Sequence, residues 1–163
     1  IKTIINYIET IKGIKIIGAD KYLTDILMTK GTLTNRLLSE SLCSDIKIAE
    51  LACKKVGSEG NGQACIVSNG EVVTVEDING TDYMLYKILK INPKGLKGGL
   101  LMKTLKPIQD SRVDLPTVGI NTLKLIKKIG LDGIVLESNK AFLVDKEKMI
   151  EFSNSQNLFI HGL

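Results

Sequence analysis

Lys106-Pro107-Ile108-Gln109-Asp110-Ser111-Arg112-Val113-Asp114-Leu115-Pro116-Thr117-Val118-Gly119 joins two elements of different kinds. Its two prolines forbid a continuous helix and favour extended or turn backbone. Before it, the apolar run Gly99-Leu100-Leu101-Met102 reads as a strand over 100–105. After it, residues 120–129 place Leu123, Ile126 and Ile129 on one helical face, and Gly130 ends the helix. A polar loop between a strand and a helix is where α/β proteins tend to place their sites. Asp110 and Asp114 lie four residues apart, with Arg112 between them and Lys106 at the head of the run. Acids can hold a metal ion, and cations can hold phosphate. The plainer reading is a solvated turn in which Arg112 pairs with Asp110 or Asp114.

Outward from this loop, both flanks alternate strands with helices. Upstream, Asn69-Gly70 is a strong two-residue hairpin signal between β-rich runs at 63–68 and 71–77. A helix over 46–56, capped by Ser44 or Asp45 and stopped by Gly57, precedes the hairpin. Another over 81–90, capped by Thr81 or Asp82, follows it. Downstream, 134–136 and 141–144 read as a second hairpin around Asn139-Lys140. Asp145 caps a last helix to about 155, and a short strand over 158–160 closes the chain. Hairpins exclude a purely parallel sheet. The expected class is therefore α/β, with a mixed sheet and flanking helices.

The N-terminal part reads separately. Residues 2–11 form a helical face, 14–17 a short strand, and Asp20 caps a helix to about 28. One strand cannot be covered on both faces by so small a unit. Residues 1–35 are thus expected to be the remnant of a separate, Rossmann-like α/β domain, with a polar link at 29–35. Residues 36–163 are expected to form the main domain. The chain starts at Ile1 inside an apparent helix, as a fragment of a longer protein would.

Composition narrows the function. At 44% apolar and 25% charged residues the chain is of globular type, and with 4% aromatics its core must be aliphatic. The net charge of +4 is carried by dispersed lysines, which argues against nucleic acid as a partner. Cys43, Cys53 and Cys65 show no metal-ligand spacing, and the single His161 cannot build a histidine cluster. Reduced thiols, and the lack of a signal peptide or an apolar run near 20 residues, lead us to expect a cytoplasmic protein.

What remains is an inventory of carboxylates and cations: Glu76, Asp82, Asp110, Asp114, Lys103, Lys106 and Arg112. Carboxylates gathered alone repel one another, and a divalent cation removes that conflict. Mg²⁺ takes one or two carboxylates, waters and phosphate oxygens, while Arg and Lys neutralise the rest of a pyrophosphate. The inventory suits metal-assisted phosphoryl chemistry better than covalent catalysis by Ser, Cys or His. Plainer roles stand beside it. Asp82 can serve only the helix dipole, Glu76 and Lys103 can be a cross-strand pair, and Gly80 and Gly119 can serve backbone geometry alone.

Val75-Glu76-Asp77-Ile78-Asn79-Gly80-Thr81-Asp82, Gly98-Gly99-Leu100-Leu101-Met102-Lys103 and the central run 106–119, in this order and spacing, resemble one family. It is the LpxI-type UDP-2,3-diacylglucosamine pyrophosphatases of lipid A biosynthesis. The resemblance runs from about Gly18 through Gly130-Leu131-Asp132-Gly133-Ile134-Val135-Leu136-Glu137 to Leu158-Phe159-Ile160. It implies Mg²⁺-dependent hydrolysis of UDP-2,3-diacylglucosamine to UMP and 2,3-diacylglucosamine 1-phosphate, peripherally at the inner membrane of Gram-negative bacteria. It implies Asp110, Arg112 and Asp114 as catalytic residues, Asp82 and Asp110 as metal ligands, and Thr81, Lys103, Lys106 and Gln109 on the substrate. A homodimer is a further expectation. The sequence departs from the family pattern at Asn79, where an acid usually precedes Gly-Thr-Asp. The competing readings are a non-catalytic lipid-sugar or nucleotide-binding remnant and a small basic interaction module.

Overall fold

Alternation along the strands divides the apolar residues between two faces of one sheet, and each face acquires its own helices. The computed structural model describes residues 2–107 and 110–163. In chain order its elements are α1 (Lys2–Asn6), β1 (Gly31–Thr32), α2 (Glu40–Ser58), β2 (Ala64–Ser68), β3 (Glu71–Val75) and α3 (Thr81–Ile91). They continue with β4 (Leu100–Lys103), β5 (Thr117–Val118), α4 (Ile120–Ile129), β6 (Gly133–Leu136), β7 (Phe142–Leu143), α5 (Lys146–Ser155) and β8 (Phe159–Gly162). Six strands form a mixed sheet in the order β1-β8-β6-β4-β2-β3. Its centre, β4-β6-β8, is parallel, and β1, β2 and β3 are antiparallel to their neighbours. The α/β class with a mixed sheet and flanking helices is therefore the observed one.

Register explains the layering. Ile66, Leu101, Ile134 and Ile160 are successive partners across β2, β4, β6 and β8. All four are fully buried and pack against Leu85 of α3, Ile126 of α4 and Met149 of α5. One residue along, Cys65, Met102 and Val135 turn to the opposite face and meet Ile46, Ala49 and Cys53 of α2. Each fully buried aliphatic side chain stabilises the fold by about 1.5–3 kcal/mol. One helix thus covers one face, and three cover the other.

Several expected elements take a different form. The helix α2 starts six residues before Ile46, because Ser39 caps it, its hydroxyl accepting from Leu42 N at 3.3 Å. The stripe Leu42, Ile46, Ala49, Cys53 and Val56 then faces the sheet or its edge, and Gly57 lies inside the last turn. Asp45 is not a cap. It is buried and accepts from Gly70 N at 2.8 Å, tying α2 to the first hairpin turn. That turn has positive φ at Asn69 and Gly70, as the sequence signal requires.

The second hairpin does not form. Both edges of β6 are taken by parallel partners, so residues 141–144 find no place beside it. They turn away at Asn139 and pair with the central loop instead, β7 lying parallel to β5. Leu27 bridges to Phe142 there.

In the N-terminal segment, α1 continues as a π-helical stretch, Tyr7–Ile11. Residues 14–17 form no strand, since no neighbour supplies a ladder, and Ile14 and Ile17 are exposed. Two short 3₁₀ turns, Ala19–Lys21 and Thr24–Ile26, replace the helix expected to 28, and Asp20 caps nothing. From Met28, which is fully buried in the core of the three-helix face, the chain is part of the main body. No helix among the described residues is long and apolar enough to cross a membrane.

Candidate functional site

The carboxyl end of β4 delivers Lys103 to the rim of the three-helix face, where the apolar layer stops. A cavity of about 590 Å³ opens there. Three helices begin on its wall: Gly80-Thr81-Asp82 of α3, Gly119-Ile120-Asn121 of α4 and Val144-Asp145 of α5. None of the three has a side-chain cap on its first-turn N–H groups, in contrast to α2. Each start is a source of unsatisfied donors and partial positive charge. Gly80 reaches its position with φ 89°, a conformation that a side chain would strain.

Lys103 is half-buried among these starts. Burial pushes its ammonium below the ordinary lysine value, and the charges of Glu76, Asp82 and Asp114 act in the opposite direction. Among the described residues its ammonium has no ion pair within 4.0 Å. Glu76 is buried just beyond β3 and accepts from Gln63 N at 3.4 Å and from the Thr81 hydroxyl at 3.1 Å. Glu76 therefore pins the start of α3. The Thr81 hydroxyl is occupied there, although the residue lines the cavity.

The central loop has a different setting. Arg112 grips Asp110 with a two-bond fork, Nε to Oδ1 at 3.0 Å and Nη2 to Oδ2 at 2.8 Å. Its third bond runs from Nη1 to Glu9 Oε1 at 2.8 Å. The backbone N–H groups of Val113 and Asp114 return to Asp110 O, closing a tight turn. Asp114 is exposed, and its charge reaches Lys103. The described residues lining the Lys103 cavity include neither Asp110 nor Arg112.

Lys106 lines a second cavity of about 640 Å³, on the α2 side of the sheet, together with Glu137, and its Nζ donates to Gly60 O at 3.4 Å. Gln109 lies outside the described residues. The structure thus gathers Thr81, Asp82 and Lys103, brings Asp114 near them, and places the Asp110–Arg112 pair and Lys106 elsewhere.

Among the described residues no three His, Cys, Asp or Glu side chains cluster around a point that could hold a metal. Asp82 and Asp145 nevertheless line the same cavity. Two hard oxygen donors beside open space fit Mg²⁺, which fills its remaining positions with water and phosphate oxygens. The cysteines do not fit a nucleophile: Cys53 and Cys65 are buried with their sulfurs 3.4 Å apart, and that contact and burial push the Cys53 thiol up. Sequence reasoning missed Asn121 and Asp145 on the cavity wall and the convergence of the three helix starts. Its one available signal was the placement of Gly80 and Gly119 directly before helices.

The LpxI C-terminal domain family matches residues 29–161. The UDP-2,3-diacylglucosamine pyrophosphatase LpxI of Caulobacter vibrioides is 33% identical over 158 residues, which cover 93% of this chain and 56% of that protein. The chain therefore spans little more than half the length of this relative. With a match that runs from just before β1 into β8, the chain belongs to the LpxI family.

Proposed function

We propose that the chain is the diphosphate-handling part of an enzyme that hydrolyses UDP-2,3-diacylglucosamine to UMP and 2,3-diacylglucosamine 1-phosphate. The observation that carries this reading is the set of three uncapped helix starts around the half-buried Lys103. Aligned N–H groups and a poorly solvated ammonium suit a compact, multiply charged anion. Water then adds at phosphorus, and the bridging P–O bond breaks. Lys103 and the helix starts accept the charge that develops on the phosphate oxygens. Thr81 shapes the wall, and Glu76 holds it in place.

Arg112 orients Asp110, and the charge of Asp114 helps keep Lys103 protonated. Mg²⁺ belongs to this reading, with Asp82 and Asp145 on the cavity wall as the carboxylates that would hold it, and Asp110, gripped by Arg112 in the central loop, as the acid proposed to act beside them. When bound, the ion would supply charge neutralisation at the diphosphate. Lys106 and Gln109 are proposed to meet other parts of the substrate. The acylated sugar implies peripheral contact with a membrane surface, and a homodimer is part of the same proposal. The exposed Ile4, Tyr7 and Ile11 of the N-terminal segment support a surface of that kind.

Release of UMP from UDP-2,3-diacylglucosamine, measured with and without Mg²⁺, tests the proposal. We expect metal-dependent release that Lys103→Met abolishes. Binding without release identifies the second reading, a non-catalytic lipid-sugar or nucleotide-binding protein. That reading draws on Asn79, which puts an amide on the cavity wall where the family pattern has an acid.

A further inference from the structure

We infer that Glu9 is a positioning residue for the Asp110–Arg112 pair, and through it for the hydrolysis proposed above, on which this inference rests. Glu9 belongs to the N-terminal segment, before the stretch that matches the family domain. It nonetheless bonds directly to the central loop. The Arg112 fork fixes the guanidinium relative to Asp110, but both residues ride on the same short turn. A pair two residues apart cannot fix its own place in the molecule. The bond from Arg112 Nη1 to Glu9 Oε1, at 2.8 Å, supplies an anchor outside the turn.

The anchor is itself held. Glu9 Oε1 also accepts from Ile16 N at 3.3 Å, and Ile14 N donates to Ile8 O at 3.3 Å, so the segment folds back on itself. Gly18 then lies against the loop, where a Cβ would come 3.3 Å from Arg112 Cα. Residues 9, 16 and 18 thus close one segment over Arg112. Two carboxylates on one guanidinium leave Arg112 as the clamp of the loop, while the phosphate oxygens fall to Lys103.

The chain's two arginines, Arg36 and Arg112, make the test direct. In an Arg36→Lys background of the full chain, Arg112 gives the one arginine Nε–H resonance, and this group donates to Asp110 rather than to Glu9. We expect Glu9→Ala to speed its exchange with solvent on the order of tenfold. The same change lowers kcat for UMP release on the order of tenfold and leaves KM in place, as a small misplacement of a reacting group does. Glu9→Gln, which keeps the acceptor oxygen, stays near wild type in both readouts. Glu9→Asp withdraws the carboxylate by one methylene and gives the Ala result at smaller amplitude. It serves as the deciding variant where Glu9→Ala does not fold. Equal Nε–H exchange in wild type and in every folded variant overturns the inference. If a full-length version of this protein releases no UMP, the proposed function fails, and the exchange rates alone decide the role of Glu9.

Discussion

Lys103 and Arg112 are both cations near the acids of the central loop, and the fold treats their charges in opposite ways. Burial works against the Lys103 ammonium, with carboxylate charges only partly opposing it. The Arg112 guanidinium is held above its ordinary range, first by its hydrogen bonds to Asp110 and further by the charges of Asp110 and Glu9. The difference separates two jobs. A cation whose charge the protein disfavours gains most from an incoming anion. A cation already matched by two carboxylates gains least, and it works by holding those carboxylates in place.

The largest effect is expected at Asp110. Asp110→Asn keeps the shape and removes the charge that Arg112 grips. In a full-length, active version of this protein we expect turnover to fall on the order of 10²–10³, with substrate binding largely kept. If turnover stays near normal and the only effect is a slight loss of stability, the pair is a surface ion pair and nothing more.

The opposite result is expected at Lys103. Lys103→Met removes a disfavoured charge, so the melting temperature rises by about 2–4 °C, the scale of 1 kcal/mol at this size, while anion binding is lost. A fall in melting temperature would show Lys103 to be a structural cation like Arg112.

The pH dependence sharpens the same point. The Lys103 pKa is lowered in the folded state, so between that value and 10.5 the unfolded chain binds more protons. The cost of burying the charge is fully present at neutral pH and is relieved as pH rises through the folded pKa towards 10.5. Chemical denaturation across this alkaline window should show a stabilising contribution in wild type that is missing in Lys103→Met.

The smallest expected stability effect comes from Gly119. Its backbone is extended and the nearest atom to an added Cβ is 4.0 Å away, so an aspartate fits as a helix cap. Gly119→Asp should raise stability by a few tenths of a kcal/mol to about 1 kcal/mol and weaken anion binding, because the carboxylate takes the donors offered to phosphate. Calorimetry of the variant with and without UDP reads both effects.

What the sequence disclosed follows from how local each signal is. Ile120–Ile129 was legible to the residue, because Leu123, Ile126 and Ile129 set the period and Gly130, at φ 86°, ends it. The Asn69-Gly70 turn was equally local. By contrast, the strand expected at 14–17 depends on a neighbour that no local pattern can supply. The start of α2 lay at Ser39 rather than Ser44 or Asp45, because Asp45 is consumed by Gly70, far along the chain. Residues 134–136 and 141–144 carry strand-like composition, yet the parallel partners on either side of β6 decide that they separate.

The site divides in the same manner. Asp82, Asp110, Arg112, Asp114 and Lys103 stood out as charged residues around turns. That Lys103 shares a cavity with the starts of α3, α4 and α5, whereas Arg112 turns to Glu9, is a product of tertiary packing.

The most direct test of the contrast is isothermal titration of UDP into the full chain at constant Mg²⁺, for wild type and for a folded Lys103→Met variant. The account predicts measurable binding in wild type and a loss on the order of tenfold or more in Lys103→Met, the worth of one charge-assisted contact to phosphate. Equal affinity in the two proteins would contradict it.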